Sequence, residues 1–195
     1  QSPYPGQDTT ISICPSAGAF DLFPLLGTGV STMGAWFDDQ GNPVNMPYDP
    51  QVLAAGNYTY QTDSLGCTDE AIVTIIFVPT TVDNVNSTDA LCNGSADGTI
   101  TINATNMVEY TIDQGAPVTA ASPFTINGLA AGTYTVAVFS ADGCADSVDV
   151  VIGEPTALQV GAVPTNATCF GDCDGQVQIT VAGGTGTYTY AWLPG

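Results

Sequence analysis

A tandem repeat constrains this chain more than any other feature. Leu129 to Cys144 reads LAAGTYTVAVFSADGC, and Leu53 to Cys67 reads LAAGNYTYQTDSLGC, one residue shorter. Leu53, Gly56, Tyr58 and Thr59 fall 76 positions before Leu129, Gly132, Tyr134 and Thr135, whereas Cys67 falls 77 before Cys144. A second self-match, Cys92-Asn-Gly-Ser-Ala-Asp-Gly-Thr-Ile-Thr-Ile102 with Cys169-Phe-Gly-Asp-Cys-Asp-Gly-Gln-Val-Gln-Ile179, lies 77 positions apart. Two separate matches at one period define a repeated structural unit.

Within the repeated stretch, Tyr134, Val136 and Val138 alternate with Thr133, Thr135 and Ala137, the period of a strand with one buried face. Ala141-Asp-Gly143 supplies turn chemistry, because Gly tolerates positive φ and Asp bonds its own backbone. Val148, Val150 and Ile152 then resume the alternation, so a β-hairpin is expected. Leu-x-x-Gly-x-Tyr resembles the start of a tyrosine corner, in which a phenol at the head of a late strand bonds upstream backbone. The competing reading makes Tyr58 and Tyr134 core aromatics only.

The period divides the chain into a first module at 1–79, a second at 80–155 and an incomplete third at 156–195. Gln1–Pro5 reads as a leading linker. In the first module Ile11 and Ile13 alternate into Cys14, and Phe20–Leu26 is an apolar cluster suited to a short helical turn or an irregular strand. Gly34–Phe37 reads as a central strand with Trp36 as its core plug. The second module carries strands at Thr99–Asn103, Tyr110–Asp113 and Pro123–Ile126 before its hairpin. The third repeats the Cys-x-Gly-x-x-Asp-Gly turn, has a strand expected at Thr187–Trp192, and stops at Gly195 about halfway through. Short strands at regular spacing with Gly, Asp and Pro turns predict an all-β fold of tandem immunoglobulin-like β-sandwich modules, end to end.

Charge narrows the function. The chain has no Lys, Arg or His and 19 acidic residues, a net charge of −19. No cation is available to displace counterions from phosphate, so nucleic acid and anionic membrane surfaces are excluded as partners. No apolar run approaches the ~20 residues of a membrane span and no signal peptide is read. The numbering is therefore expected to begin in mature protein or inside a longer one. Catalysis lacks its usual parts: an ordinary general base near neutral pH, a Ser-His pair and a cation to stabilise an oxyanion. Asp38-Asp39 and Asp69-Glu70 are the adjacent acidic pairs, and both suit solvated positions.

Six cysteines in an acidic β-rich chain point to an oxidising, extracellular setting. No Cys-x-x-Cys pair or His supports a zinc site. Their positions against the repeated hairpin pair Cys14 with Cys67 and Cys92 with Cys144, each closing a loop of about 50 residues worth roughly 4 kcal/mol in a chain-entropy model.

From Cys169 through Asp172-Cys173-Asp174-Gly175 to Tyr188-Thr-Tyr-Ala-Trp192 the chain resembles an SprB repeat, and the second module resembles a variant of it. The first module is more loosely similar to Ig/PKD-like modules that neighbour such repeats. This resemblance implies a long secreted surface adhesin of Bacteroidetes, of the gliding-motility type exported by type IX secretion, with no catalysis. Its implied partners are neighbouring repeats of the same chain, surface polysaccharide or other copies in a filament, and the secretion and motility machinery. Repeats with the extra cysteine usually carry another in the late hairpin. Cys173 (Ala96 in the second module) is thereby expected to pair beyond Gly195, as is Cys169. The alternative is a local Cys169–Cys173 bridge.

Three other chemistries are weighed. Calcium would use Asp38, Asp39 and Asn42, or Asp172 and Asp174, against a reading as turn residues with a diffuse counterion cloud. A carbohydrate-binding array would need exposed aromatics, for which Trp36, Phe37, Tyr48 and Tyr60 are candidates, against core packing. Asp8-Thr9-Thr, Asp63-Ser64-Leu and Asp146-Ser147-Val fit an O-glycan pattern associated with Bacteroidetes, making Thr9, Ser64 and Ser147 the candidate acceptors.

Overall fold

The structure, a computed structural model, describes residues 3–193. Part of the leading linker and the stop at Gly195 thus lie outside the described residues. No α-helix occurs among them, and the fold is all-β.

The first module is built on β1 (Thr9–Ile13), β2 (Gly34–Phe37), β3 (Pro43–Val44), β4 (Gly56–Ser64) and β5 (Cys67–Phe77), in sheet order β1-β5-β4-β2-β3. β1 lies parallel to β5, with Thr9 opposite Val73 and Ile13 opposite Phe77. Alternation along β4 and β5 buries Tyr58, Tyr60, Ala71, Val73 and Ile75, which join Trp36 in one core. The remaining core residues, Leu22, Leu26 and Tyr48, come from outside the sheet. The Phe20–Leu26 cluster is the short helical turn of the two forms expected: Phe23–Leu26 is a 3-10 turn, and Phe20 and Tyr48 exchange backbone hydrogen bonds at 2.9 Å.

The second module contains β6 (Thr81–Thr88), β7 (Gly98–Thr105), β8 (Glu109–Ile112), β9 (Val118–Thr119), β10 (Phe124–Leu129), β11 (Gly132–Phe139) and β12 (Ala145–Ile152). Its sheets are ordered β10-β7-β6 and β12-β11-β8-β9. The first, second and fifth strands thus share one sheet, and the third, fourth, sixth and seventh share the other. This is an immunoglobulin-type distribution. In the third module β13 (Gln159–Thr165) pairs antiparallel with β14 (Gln176–Ala182). The strand expected at Thr187–Trp192 does not form: these residues carry no regular structure, because a strand exists only against a hydrogen-bonding neighbour.

Two compact units emerge from the contacts. One comprises Gln1–Asp83, Ala104–Ser122 and Ala137–Ser147; the other comprises Asn84–Asn103, Pro123–Val136 and Val148–Gly195. The division passes through β6, β7, β11 and β12, so the compact units and the repeat partition the chain differently. The second unit buries Ile100, Ile102, Leu129, Val136, Val150 and Ile152.

Candidate functional site

The repeated hairpin opens on a tyrosine corner in both copies. The Tyr58 hydroxyl donates to the Ala54 carbonyl at 2.7 Å, and the Tyr134 hydroxyl to the Ala130 carbonyl at 3.0 Å. Tyr58 is also part of the core, so the two readings of that residue hold together. Tyr48 donates to the same Ala54 carbonyl at 2.9 Å and stacks edge-on against Tyr58. Burial pushes the Tyr48 phenol up from its ordinary pKa, with the neighbouring Tyr58 adding to the effect.

The hairpin turns differ. Leu65 and Gly66 both take positive φ, +56° and +82°, with Ser64 opposite Cys67, which is a two-residue turn of the primed kind. The extra residue in the second copy makes a longer loop. There Ser140 N–H donates to the Cys144 carbonyl at 2.9 Å, and Cys144 N–H to the Ser140 hydroxyl at 3.0 Å. Cys67 is exposed, while Cys144 is 3% exposed.

The expected pairings are corrected. Cys14 is bonded to Cys144, with Cα atoms 5.3 Å apart, and Cys67 and Cys92 are free thiols. The reason lies in strand register. Ile13 is opposite Phe77, so Cys14 stands at the end of β5 while Cys67 stands at its start. Ten residues of extended chain span roughly 33 Å, far beyond the ~7 Å that a disulfide tolerates between α-carbons. Cys92 likewise follows Ala90, whose N–H donates to Gly153 just past β12, whereas Cys144 precedes β12. The bond that forms joins the first module to the hairpin of the second. Cys144 Sγ lies 3.1 Å from the Val78 carbonyl oxygen, and Cys14 Sγ lies 3.8 Å from that of Asp142. Cys169 and Cys173 are exposed and free, without the local bridge.

The Cys-x-Gly-x-x-Asp-Gly segment is a turn with the same backbone hydrogen bonds in both copies, while the hydroxyl that reaches its Asp comes from different positions. Ser95 N–H donates to the Cys92 carbonyl and Asp172 N–H to that of Cys169, each at 3.1 Å. Gly94 and Gly171 take positive φ, +77° and +94°. Asp97 accepts from Leu91 N–H at 3.0 Å and the Ser95 hydroxyl at 2.6 Å; Asp174 accepts from Thr168 N–H at 3.0 Å and from the Thr168 hydroxyl. The Ser95 and Thr168 hydroxyls, aided by these N–H groups, hold both carboxyls below the usual carboxylate range. A Cβ on Gly98 would stand 2.6 Å from Ile152 Cγ2 and 2.9 Å from the Leu129 carbonyl oxygen, so glycine alone fits there.

Among the described residues, Asp38, Asp39, Asp172 and Asp174 are not gathered into any cluster of three acidic or other metal-ligating side chains. Asp38 accepts from Gln40 N–H and Asn42 N–H at 3.0 and 2.8 Å and from the Asn42 side-chain amide at 3.0 Å. Asn42 is the main cause of its lowered pKa. The candidate carbohydrate platform is dismantled by burial: Trp36, Tyr48 and Tyr60 lie in the core, and Phe37 is half-buried. Tyr190 and Trp192, which the sequence placed in a strand, are instead exposed at 60% and 70%.

Thr9 sits half-buried on β1, Ser64 half-buried at the hairpin turn and Ser147 exposed on β12. The Asp of each pattern is engaged in the fold. Asp8 accepts from Ile72 N–H and Asp146 from Val82 N–H, each at 2.8 Å, and Asp63 accepts from Gly66 N–H at 3.3 Å. Sequence reasoning missed these clamps, and also Glu154, whose carboxylate accepts from the Asn93 amide at 2.9 Å and Gly94 N–H at 2.6 Å. The shift from 76 to 77 in the repeat period was the one local sign that the two hairpin cysteines differ.

The family model for the SprB repeat matches residues 84–108 and 161–195. No curated protein matches the chain. Among solved structures, the crystal structure of Dscam1 isoform 7.44, N-terminal four Ig domains, aligns at 14% identity with a TM-score of 0.26, covering 91% of this chain and 59% of that one. This chain thus spans less than two thirds of that structure's length, and the immunoglobulin-type assignment rests on strand order instead.

Proposed function

We propose that these SprB-repeat modules form a non-catalytic spacer in a secreted cell-surface adhesin, holding adhesive parts away from the cell. The observation that carries this reading is the Cys14–Cys144 bond, which fastens one module to the next while Trp36, Tyr48 and Tyr60 of the first module pack inside it. An intramolecular disulfide fits an extracellular protein. No helix among the described residues is long and apolar enough to cross a membrane. Without Lys or Arg the chain offers trypsin no cleavage site, a useful property for a surface-exposed linker. Gliding motility and type IX export are the setting this reading assigns to the adhesin.

A second reading has an observation in its favour. Exposed Tyr190 and Trp192 are the kind of side chains on which sugars stack. Titration of the chain with surface polysaccharides, followed by tryptophan fluorescence and calorimetry, separates the two. The spacer reading expects no saturable binding. Saturable binding abolished by Trp192→Ala would overturn it in favour of a carbohydrate-binding array.

A further inference from the structure

The Cys14–Cys144 bond has ends at two positions that the repeat reproduces. Cys14 stands where the chain leaves the first module: Val78 N–H, just past β5, donates to Ile13 at 3.0 Å. Cys92 stands where the chain leaves the second. Ala90 N–H donates to the Gly153 carbonyl at 2.9 Å, Gly153 N–H to Asp89 at 2.8 Å, and the Asn93 amide to the Pro155 carbonyl at 3.2 Å. Cys67 and Cys144 both stand at the turn of the last hairpin. Each of the two modules thus has an exit cysteine and a hairpin cysteine. The observed bond runs from the exit of one module to the hairpin of the next.

We infer that Cys92 is the exit half of a second such bond, closed by the hairpin cysteine of the module that begins after Pro155. The modules would then be joined by a repeating cross-module disulfide and not stapled individually.

Two further observations support the assignment of Cys92. It is exposed and free, so a partner can reach it. Residues of the third module already stand beside it: Cys92 and Asn93 line one cavity with Thr156, Leu158 and Tyr190, and the Thr185 hydroxyl donates to the Leu91 carbonyl at 3.2 Å. In the chemistry, two S–H bonds break and one S–S bond forms. The two electrons and the two protons pass to the disulfide of a thiol–disulfide oxidoreductase, whose S–S bond breaks and which leaves as a dithiol.

The test is peptide mapping of the native polypeptide, alkylated before unfolding, digested with pepsin and compared with and without reduction. The expected result is an unalkylated Cys92 peptide linked to a hairpin-cysteine peptide from the following module. An alkylated Cys92, or one linked to Cys67 or Cys144, overturns the inference. A Cys92→Ser variant gives a second readout: one additional alkylatable thiol in the following module, with Cys14–Cys144 intact. No additional thiol also overturns it.

Discussion

The two hairpins begin with the same Leu-Ala-Ala-Gly and end on a cysteine, yet they live in different surroundings. In the first module the tyrosine corner is sunk in the core, with Tyr58 at 4% exposure, and the terminal cysteine is out in solvent. In the second the order is reversed: Tyr134 is half-exposed and Cys144 is buried in a bond. A hairpin's sequence therefore fixes its own turn and its own corner. What each end packs against is decided by the neighbouring module. The tip of the second hairpin meets Cys14 and Val78 of the first, whereas Cys67 has no cysteine within reach along β5.

The largest expected asymmetry concerns those cysteines. The Cys14–Cys144 bond spans 130 residues. In a chain-entropy model a loop of that length contributes roughly 5 kcal/mol. Paired Cys14→Ser and Cys144→Ser substitutions should lower the unfolding free energy from denaturant titration accordingly, to the level of the reduced wild type, while Cys67→Ser changes it by less than about 0.5 kcal/mol. Equal losses at Cys67 and Cys144 would erase the contrast between the hairpins.

A smaller asymmetry is expected at the corners. Tyr58→Phe removes a buried hydroxyl and should cost about 1 kcal/mol, although Tyr48 still donates to Ala54. Tyr134→Phe, at the more exposed corner, should cost a few tenths of a kcal/mol. Urea unfolding of both variants measures the difference, and a larger loss at Tyr134 would mean that its corner carries more of its module than burial indicates.

These corners were legible in the sequence because their bonds are local. Tyr58 and Tyr134 each reach a carbonyl four residues back, and Asp97 and Asp174 each reach an N–H six residues back, so the residues that must agree sit inside one motif. Trp36 was legible as core from its strand. The cysteine pairing was not, because it depends on β1 lying parallel to β5 and thereby carrying Cys14 to the far end of its module. Nor was the layer over the first sheet. Leu22, Leu26 and Tyr48 fill it without strand periodicity, and only the fold shows that they face one core. Thr187–Trp192 alternates like a strand, but alternation does not supply a partner.

The smallest effect is an acid one, shared by the equivalent turns. Asp97 and Asp174 have carboxyls held below the ordinary value of 3.8, chiefly by the Ser95 and Thr168 hydroxyls. A depressed folded-state pKa contributes stability that is present above the unfolded value and lost as pH falls through the folded one. Stability should therefore decline on acidification below about pH 4. Asp97→Asn or Asp174→Asn should each flatten that decline slightly. Thermal unfolding followed from pH 5 to pH 2 checks this, and identical acid profiles for the variants and wild type would remove the carboxylates from the account.

The bond between Cys14 and Cys144 also sets the route by which a pull travels through the molecule. Tension applied at the two ends of the chain passes from Cys14 directly to Cys144, bypassing residues 15–143. At about 3.4 Å per extended residue, on the order of 400 Å of hidden length is withheld. While the bond is oxidised only the segments outside it can lengthen, and cutting that single linkage places residues 15–143 under load as well.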